Sequence, residues 1–213
     1  MIYFYSGTPG SGKSLDMARE ISYWIKNMRK NVIANTNINI DNIQKNKKKR
    51  GKFYFLDNCY VTPKFFYSYA KKFHKPGKES QTLIVIDEAQ MLFAPNTVKL
   101  KCQEDKTYRQ EWLRFFTQHR HLGYDIILVS QFDKLIDAQV RCLFEFNVVH
   151  RKANNFGVLG SILTILRVPL FVKVTYWYGV NQICEKKFFT YRKKYGQIYD
   201  SYTFFSQVQN QSN

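Results

Sequence analysis

The stretch GTPGSGKS, residues 7–14, decides the fold, and a single serine separates it from the apolar run IYFY of residues 2–5. It matches the pattern GxxxxGK[ST] in full, and a helical pattern begins at Ser14. Glycines let the backbone of such a loop wrap closely around phosphate groups, and its N–H groups point inward with a helix N-terminus behind them. A strand, this loop and a helix, in that order, predict a nucleotide-binding domain.

The residues of the loop have distinct predicted tasks in binding ATP and Mg²⁺. Lys13 supplies a positive charge to the β- and γ-phosphates, and Ser14 supplies a hydroxyl ligand to Mg²⁺. The predicted nucleotide-binding residues are those of the loop and one carboxylate further along the chain: Gly7, Thr8, Pro9, Gly10, Ser11, Gly12, Lys13, Ser14 and Asp87.

A second motif, LIVIDE at residues 83–88, supplies acidic groups. Asp87, at the C-terminal end of a predicted buried strand, would hold Mg²⁺ through its water shell. Glu88 is placed to orient or deprotonate the attacking water, which requires a carboxylate beside the γ-phosphate. Apolar runs that end in Asp-Glu also arise by chance, but one that lies about 75 residues after such a loop predicts hydrolysis.

Two further polar residues are candidates for catalysis. Gln131 follows the apolar strand of residues 126–129, where it is either a polar strand end or a group that reaches the γ-phosphate or its water. Arg120 ends the helix before that strand. It either stabilises the helix dipole or acts as the arginine that oligomeric ATPases receive from a neighbouring subunit. Arg141 is a second candidate for that arginine.

The order of apolar and amphipathic stretches predicts an α/β fold, a P-loop NTPase with a mostly parallel central sheet flanked by helices. Residues 1–151 form the predicted P-loop ATPase core. Residues 152–213 form a predicted small C-terminal β-rich extension, packed on the core and ending in a polar tail, because segments 168–178 and 183–189 are strand-like without clear helices between them. The clearest predicted helices are residues 14–30, 62–74 and 108–121.

The net charge of +17, from 33 Lys and Arg against 16 Asp and Glu, is unusually high. It predicts a polyanionic partner, either nucleic acid or an anionic membrane surface, although a compositional bias is an alternative origin. Cations and aromatic residues are interleaved at Lys64–Lys72 and Lys186–Lys194, as in proteins that bind single-stranded DNA. The basic run of residues 45–52 is either a polyanion contact or a solvated hairpin tip.

The longest apolar run, residues 156–166, is shorter than the roughly 20 residues that a membrane-spanning helix needs. We interpret it as a core strand or loop, with a membrane-touching segment as the alternative. The sequence opens on an apolar strand without a basic region before it, which is not typical of a signal peptide. The four cysteines are too widely spaced to predict a zinc site or a disulfide framework.

Four segments together resemble the zonular occludens toxin family, which includes the assembly ATPases of filamentous phages and is similar to the FtsK/HerA motors. They are GTPGSGKS, IVIDEAQ (84–90), FFTQHRHLGYDIILVSQ (115–131) and YDSY (199–202), and the resemblance covers roughly residues 1–203. It assigns ATP hydrolysis to Lys13, Ser14, Asp87 and Glu88, with Gln131 as a sensor.

The resemblance implies an ATPase in the host cytoplasm, at the inner face of the cytoplasmic membrane, that powers extrusion of single-stranded phage DNA. The implied partners are ATP, single-stranded DNA, phage coat or membrane assembly proteins, an anionic membrane surface and further copies of the chain, for example in a hexamer. Many family members carry a transmembrane helix after the ATPase domain. This sequence has none, so we expect either a truncated chain or membrane contact through partners.

Two other functions are compatible with the motifs. A motor of the same kind could package double-stranded DNA into a capsid or act in conjugative transfer, and strand preference in binding would separate these tasks. A nucleotide-gated scaffold would bind ATP without hydrolysing it. Glu88 and Gln131 argue against the scaffold, because a switch needs neither a water-orienting carboxylate nor a sensor.

Overall fold

The structure, a computed structural model of the protein, describes residues 1–39, 50–155, 169–180 and 182–198. Within these ranges eight strands form one sheet. The strands are Ile2–Ser6 (β1), Asn31–Ala34 (β2), Phe53–Phe55 (β3), Thr82–Ile86 (β4), Tyr124–Val129 (β5), Phe146–Lys152 (β6), Leu170–Trp177 (β7) and Ile183–Thr190 (β8). Their order in the sheet is β3-β2-β4-β5-β1-β6-β7-β8.

The first six strands are parallel, which confirms the predicted fold class. The strands predicted for the extension continue this sheet. β7 runs antiparallel to β6 from the pair Phe146 and Trp177 to the pair Lys152 and Phe171, and β8 runs antiparallel to β7. The segment from Leu170 to Thr190 therefore adds two antiparallel strands to one edge of the parallel sheet.

Helices cover both faces of the sheet. They are Lys13–Tyr23 (α1), Pro63–Phe73 (α2), Gln90–Phe93 (α3), Pro95–Glu104 (α4), Tyr108–Gln118 (α5), Ala138–Arg141 (α6) and Lys193–Gly196 (α7). At α2 the Thr62 hydroxyl accepts a hydrogen bond from the Phe65 N–H at 3.2 Å, and Pro63 occupies the first turn. The helix start predicted at Thr62 is thus confirmed, because the side chain satisfies an N–H that has no partner within the helix.

The predicted helix of residues 14–30 is wrong in its last part. The α-helix ends at Tyr23, and residues Trp24–Met28 form a π-helix that Arg29 ends in a left-handed conformation with φ 56°. The Lys30 N–H donates to the Trp24 carbonyl at 3.0 Å. This six-residue spacing widens the turn, and a pattern of apolar residues cannot distinguish it from an ordinary helix end.

Two apolar clusters fill the space between the sheet and the helices. One contains Phe66, Trp112, Phe115 and Phe116 from α2 and α5, packed under one face of the sheet. The other contains Met17 and further residues of α1 under the opposite face. All five residues of β4 are buried, since helices cover both of its faces.

The carboxyl ends of the parallel strands meet at one edge of the sheet, which is where ligands bind in open α/β sheets. At this edge β5 lies between β4 and β1. The chain segments that follow these three strands are therefore neighbours, although they lie far apart in the sequence.

Candidate nucleotide-binding and hydrolysis site

The loop between β1 and α1 is packed against β6 and β7. Gly7 has φ 143° and Gly12, the residue before α1, has φ 97°. A Cβ atom at Gly7 would lie 2.4 Å from the His150 carbonyl oxygen, and one at Gly12 would lie 2.8 Å from the ring of Phe171. Only glycine satisfies both the backbone conformation and the close approach at these positions.

Hydrogen bonds within the loop leave groups available for a phosphate chain. The Lys13 ammonium donates to the carbonyl oxygens of Gly7 at 2.6 Å and Thr8 at 3.1 Å, and so lies across the loop. The Ser11 hydroxyl is buried without a hydrogen-bond partner among the described residues. The glycine cradle, the ammonium group and this hydroxyl fit a bound polyphosphate.

The acidic pair follows β4, as the sequence predicts. Asp87 is 9% exposed, and one of its carboxylate oxygens accepts a hydrogen bond from the Glu88 N–H at 3.0 Å. Burial lowers the pKa of Lys13, and the nearby carboxylates of Glu88 and Asp87 act in the opposite direction and raise that pKa. The loop and the acidic pair are therefore close enough for electrostatic interaction.

Asn35 fixes the backbone at Asp87, a role that the sequence analysis missed. Its side-chain oxygen accepts from the Asp87 N–H at 2.6 Å, and its side-chain nitrogen donates to the Asp87 carbonyl at 2.9 Å. Asn35 directly follows β2, the strand beside β4. Asn35 could have been identified by the reasoning used for Gln131, because both are polar residues directly after an apolar strand.

Glu88 has an unusual backbone conformation, with φ 47°. A residue with a Cβ in this left-handed region carries strain on the order of 1–3 kcal/mol. The Glu88 side chain is exposed, and its carboxylate accepts a hydrogen bond from the side-chain amide of Gln90. The strained turn thus holds an accessible carboxylate directly beside the buried Asp87.

Gln131 lies beside the loop. Its carbonyl oxygen accepts a hydrogen bond from the Gly7 N–H at 3.0 Å, because β5 and β1 are neighbours in the sheet. A cleft of about 440 Å³ opens between the ends of β5, β1 and β6. Its lining includes Gly7, Thr8, Gln131, Arg151 and Lys152.

Arg120 is not brought to this site. It precedes β5 at the opposite edge of the sheet, where its guanidinium contacts the Glu79 carboxylate at 3.3 Å and both side chains are about half exposed. Within one chain it therefore lies away from the loop. Its predicted action on a neighbouring subunit stays a prediction.

A buried ionic cluster behind the loop was also missed. Asp16 in α1 is 1% exposed, and one of its carboxylate oxygens lies 3.1 Å from Nε2 of His150 and 2.8 Å from Nζ of Lys173. Burial alone raises the pKa of this carboxyl, but the hydrogen bond with His150 and the charge of Lys173 outweigh it and hold the pKa below its usual value. The cluster joins α1 to β6 and β7 directly behind the loop.

Replacement of Asp16 by Ala is expected to lower the free energy of unfolding by about 3–5 kcal/mol, because Lys173 loses its buried counter-charge. Urea denaturation at neutral pH measures the loss. The pKa of Asp16 in the folded chain lies below its value of about 3.9 in the unfolded chain. The stabilisation that the cluster provides is therefore complete above a pH of about 3.9. It is lost as the pH falls through the folded pKa. Glu104→Ala, which removes an exposed ion pair with Lys101, should cost less than about 1 kcal/mol. Equal losses in the two variants would contradict a stabilising role for the cluster.

The sheet order, the glycine loop and the acidic pair define the chain as a P-loop ATPase, as the sequence predicts. The chain belongs to the zonular occludens toxin family, since the family model described as Zonular occludens toxin (Zot) matches residues 1–204. The resemblance seen in the sequence is thereby confirmed.

Solved structures with the same fold are similar to the chain. The N-terminal domain of zonular occludens toxin from Neisseria meningitidis matches with a TM-score of 0.53 at 18% identity, over 93% of this chain and 98% of that one. A second solved structure, described as an ATPase domain, matches with a TM-score of 0.56 at 10% identity, over 93% of this chain and 84% of that one. A comparison with curated protein sequences finds no match. In the part of the chain that the structure describes, no helix has both the length and the apolar character needed to cross a bilayer.

Proposed function

We propose that this chain is an ATP-hydrolysing motor for phage morphogenesis, which drives the assembly and extrusion of single-stranded phage DNA at the cytoplasmic membrane of the host. The observation that carries the proposal is the placement of Glu88 and Gln131 at the same sheet edge as the glycine loop, in a member of the zonular occludens toxin family. A protein that only bound ATP would need neither residue.

Each residue of the candidate site has its own proposed role in hydrolysis. The loop amides and Lys13 bind the β- and γ-phosphates, and Glu88 orients the attacking water or accepts its proton. Gln131 contacts the γ-phosphate from the end of β5, and its backbone is tied to Gly7. Ser14 and Asp87 offer the oxygen ligands that Mg²⁺ prefers, and a bound Mg²⁺ neutralises charge on the phosphate oxygens.

The nature of the polyanion is tested by the rate of ATP hydrolysis with single-stranded DNA, duplex DNA or anionic vesicles at matched salt. We expect stimulation by single strands, with binding that weakens at a log–log slope of about −0.7 per phosphate neutralised. Neutralising residues 47–50 should flatten this slope without altering ATP binding; residues 47–49 lie outside the described part of the chain. Binding to vesicles but not to oligonucleotides would contradict the DNA proposal.

Two other functions predict different results in the same assay. A packaging or conjugation motor would respond more strongly to duplex DNA than to single strands. A nucleotide-gated scaffold would bind ATP and show no turnover with any polyanion. The exposed carboxylate of Glu88, next to the buried Asp87, favours turnover over the scaffold.

We further propose that the motor is a homo-oligomer in which Arg120 acts across the subunit interface. Neither Arg120→Ala nor Lys13→Ala subunits should hydrolyse ATP well alone. Their mixture should regain part of the activity, because some sites then combine an intact loop with an intact arginine. Hydrolysis is measured at several mixing ratios, with assembly verified by light scattering. Absence of recovery in assembled mixtures would contradict the arrangement.

A further inference from the structure

The last strands of the chain carry more positive charge per residue than the chain does on average. The described residues 169–180 and 182–198 contain six cationic side chains and one acidic side chain, Glu185, whereas the whole chain has 33 against 16. Lys173 is engaged with the buried Asp16. The other five are exposed: Lys186, Lys187, Arg192, Lys193 and Lys194. This surface therefore attracts polyanions more strongly than the average charge of the chain suggests.

Exposed aromatic rings lie among these cations. In the described part of the chain β8 is the outermost strand and pairs with β7 alone, and each of its residues except Phe189 is exposed. Phe188 is 61% exposed, and Tyr191, directly after the strand, is 50% exposed. Each exposed ring offers a face on which a nucleic-acid base can stack.

The Lys186 ammonium and the Phe188 ring lie on one face of the sheet. Lys186 and Phe188 are two residues apart in β8 and so point to the same side, and the Lys186 Nζ lies 5.7 Å from the centre of the Phe188 ring. Phe188 is in register with Val172, which is in register with Arg151 of β6. Arg151 also lines the cleft beside the glycine loop. Arg151, Val172 and Phe188 thus occupy the same face of the sheet at adjacent register positions, with Val172 buried between the two exposed side chains.

We propose that the edge-strand face, formed by Lys186, Phe188 and Arg151, binds single-stranded DNA. Phe188 stacks on a base, while Lys186 and Arg151 contact phosphates. Such a combination of a stacking ring with backbone-neutralising cations binds single strands without regard to sequence. The inference rests on the proposed function and adds the surface that the DNA occupies.

Charge and chemistry favour single-stranded DNA over a second copy of the chain and over duplex DNA as the occupant of the edge-strand face. A second copy of the chain pairing along β8 would bring two strongly cationic surfaces together, and like charges oppose such pairing. Duplex DNA offers phosphates, but its stacked and paired bases present no free face to Phe188. A single strand offers both groups that the edge-strand face can bind.

Binding of a fluorescein-labelled oligothymidine, followed by anisotropy over a range of salt concentrations, tests the proposal. Phe188→Ala should weaken binding roughly five- to a hundredfold, as loss of base stacking does, and leave the salt slope unchanged. Lys186→Gln should reduce the slope by about 0.7. Both side chains are exposed, so the variants should fold, and thermal unfolding verifies this.

The matched control is an exposed ring and an exposed cation away from β8. Tyr60, which follows β3 at the other end of the strand order, is 66% exposed, and Lys99 lies on the surface of α4. Tyr60→Ala should leave the affinity for oligothymidine unchanged, and Lys99→Gln should leave the salt slope unchanged. Equal effects of the test variants and the control variants would overturn the inference. So would a loss of anionic vesicle binding in Phe188→Ala and Lys186→Gln while their oligothymidine binding stays intact. If the unmodified chain binds no oligothymidine at all, the DNA part of the proposed function fails instead.

Discussion

Glu88→Gln is expected to bind ATP with nearly the affinity of the unmodified chain and to hydrolyse it about 10²–10⁴ times more slowly. Glutamine retains the shape of the side chain and its hydrogen-bonding capacity, but it cannot accept a proton from water. The carboxylate of Glu88 is exposed beside the buried Asp87, so the substitution does not disturb packing. Single-turnover hydrolysis and equilibrium binding of a fluorescent ATP analogue separate the two effects.

Replacement of Glu88 by glycine separates the role of its carboxylate from the strain in its backbone. Glycine adopts the φ of 47° without strain, so Glu88→Gly should abolish rapid hydrolysis and yet raise the free energy of unfolding by about 1 kcal/mol. Such a result would show that the backbone conformation at Glu88 lowers the stability of the fold, while its carboxylate is needed for hydrolysis. Normal turnover in Glu88→Gln would instead assign the activation of water to another group.

Lys13→Ala is expected to lower the affinity for ATP by more than a hundredfold. The half-buried ammonium is the positive partner of the phosphates, and loss of one member of such a charge pair costs on the order of 2–5 kcal/mol. Isothermal titration calorimetry with ATP measures the change. Lys26→Ala, at the far end of the same helical segment, is the matched control and should bind ATP normally. A small effect at Lys13 would show that the loop amides suffice for binding.

The sequence was informative where a function depends on consecutive residues. The glycine loop, the Asp87–Glu88 pair and the cap at Thr62 each depend on a short motif whose geometry is local. The position of Gln131 beside the loop could be predicted because the ends of parallel strands meet at one edge of a sheet. The first three of these inferences needed no knowledge of which strands are neighbours.

Features that depend on distant residues could not be predicted. His150 and Lys173 contact Asp16 across 134 and 157 positions of the chain, and no spacing rule connects them. The strands after residue 169 were expected, but their union with the central sheet was not, because an alternating pattern does not specify the partner of a strand. By contrast, the place of Arg120 at the edge opposite the loop follows from its position before β5 in a parallel sheet.

The ionic cluster behind the loop also has a consequence for synthesis on the ribosome. Asp16 emerges early, whereas Lys173 follows 157 residues later, a delay of roughly ten to thirty seconds at usual elongation rates. Until then the nascent chain has the glycine loop without the strand pair that supports it from behind. We expect such a chain to bind nucleotide weakly and to depend on chaperones that shield its apolar strands. Tight ATP binding would then mark molecules whose translation has passed β7, and these would be the ones ready to assemble.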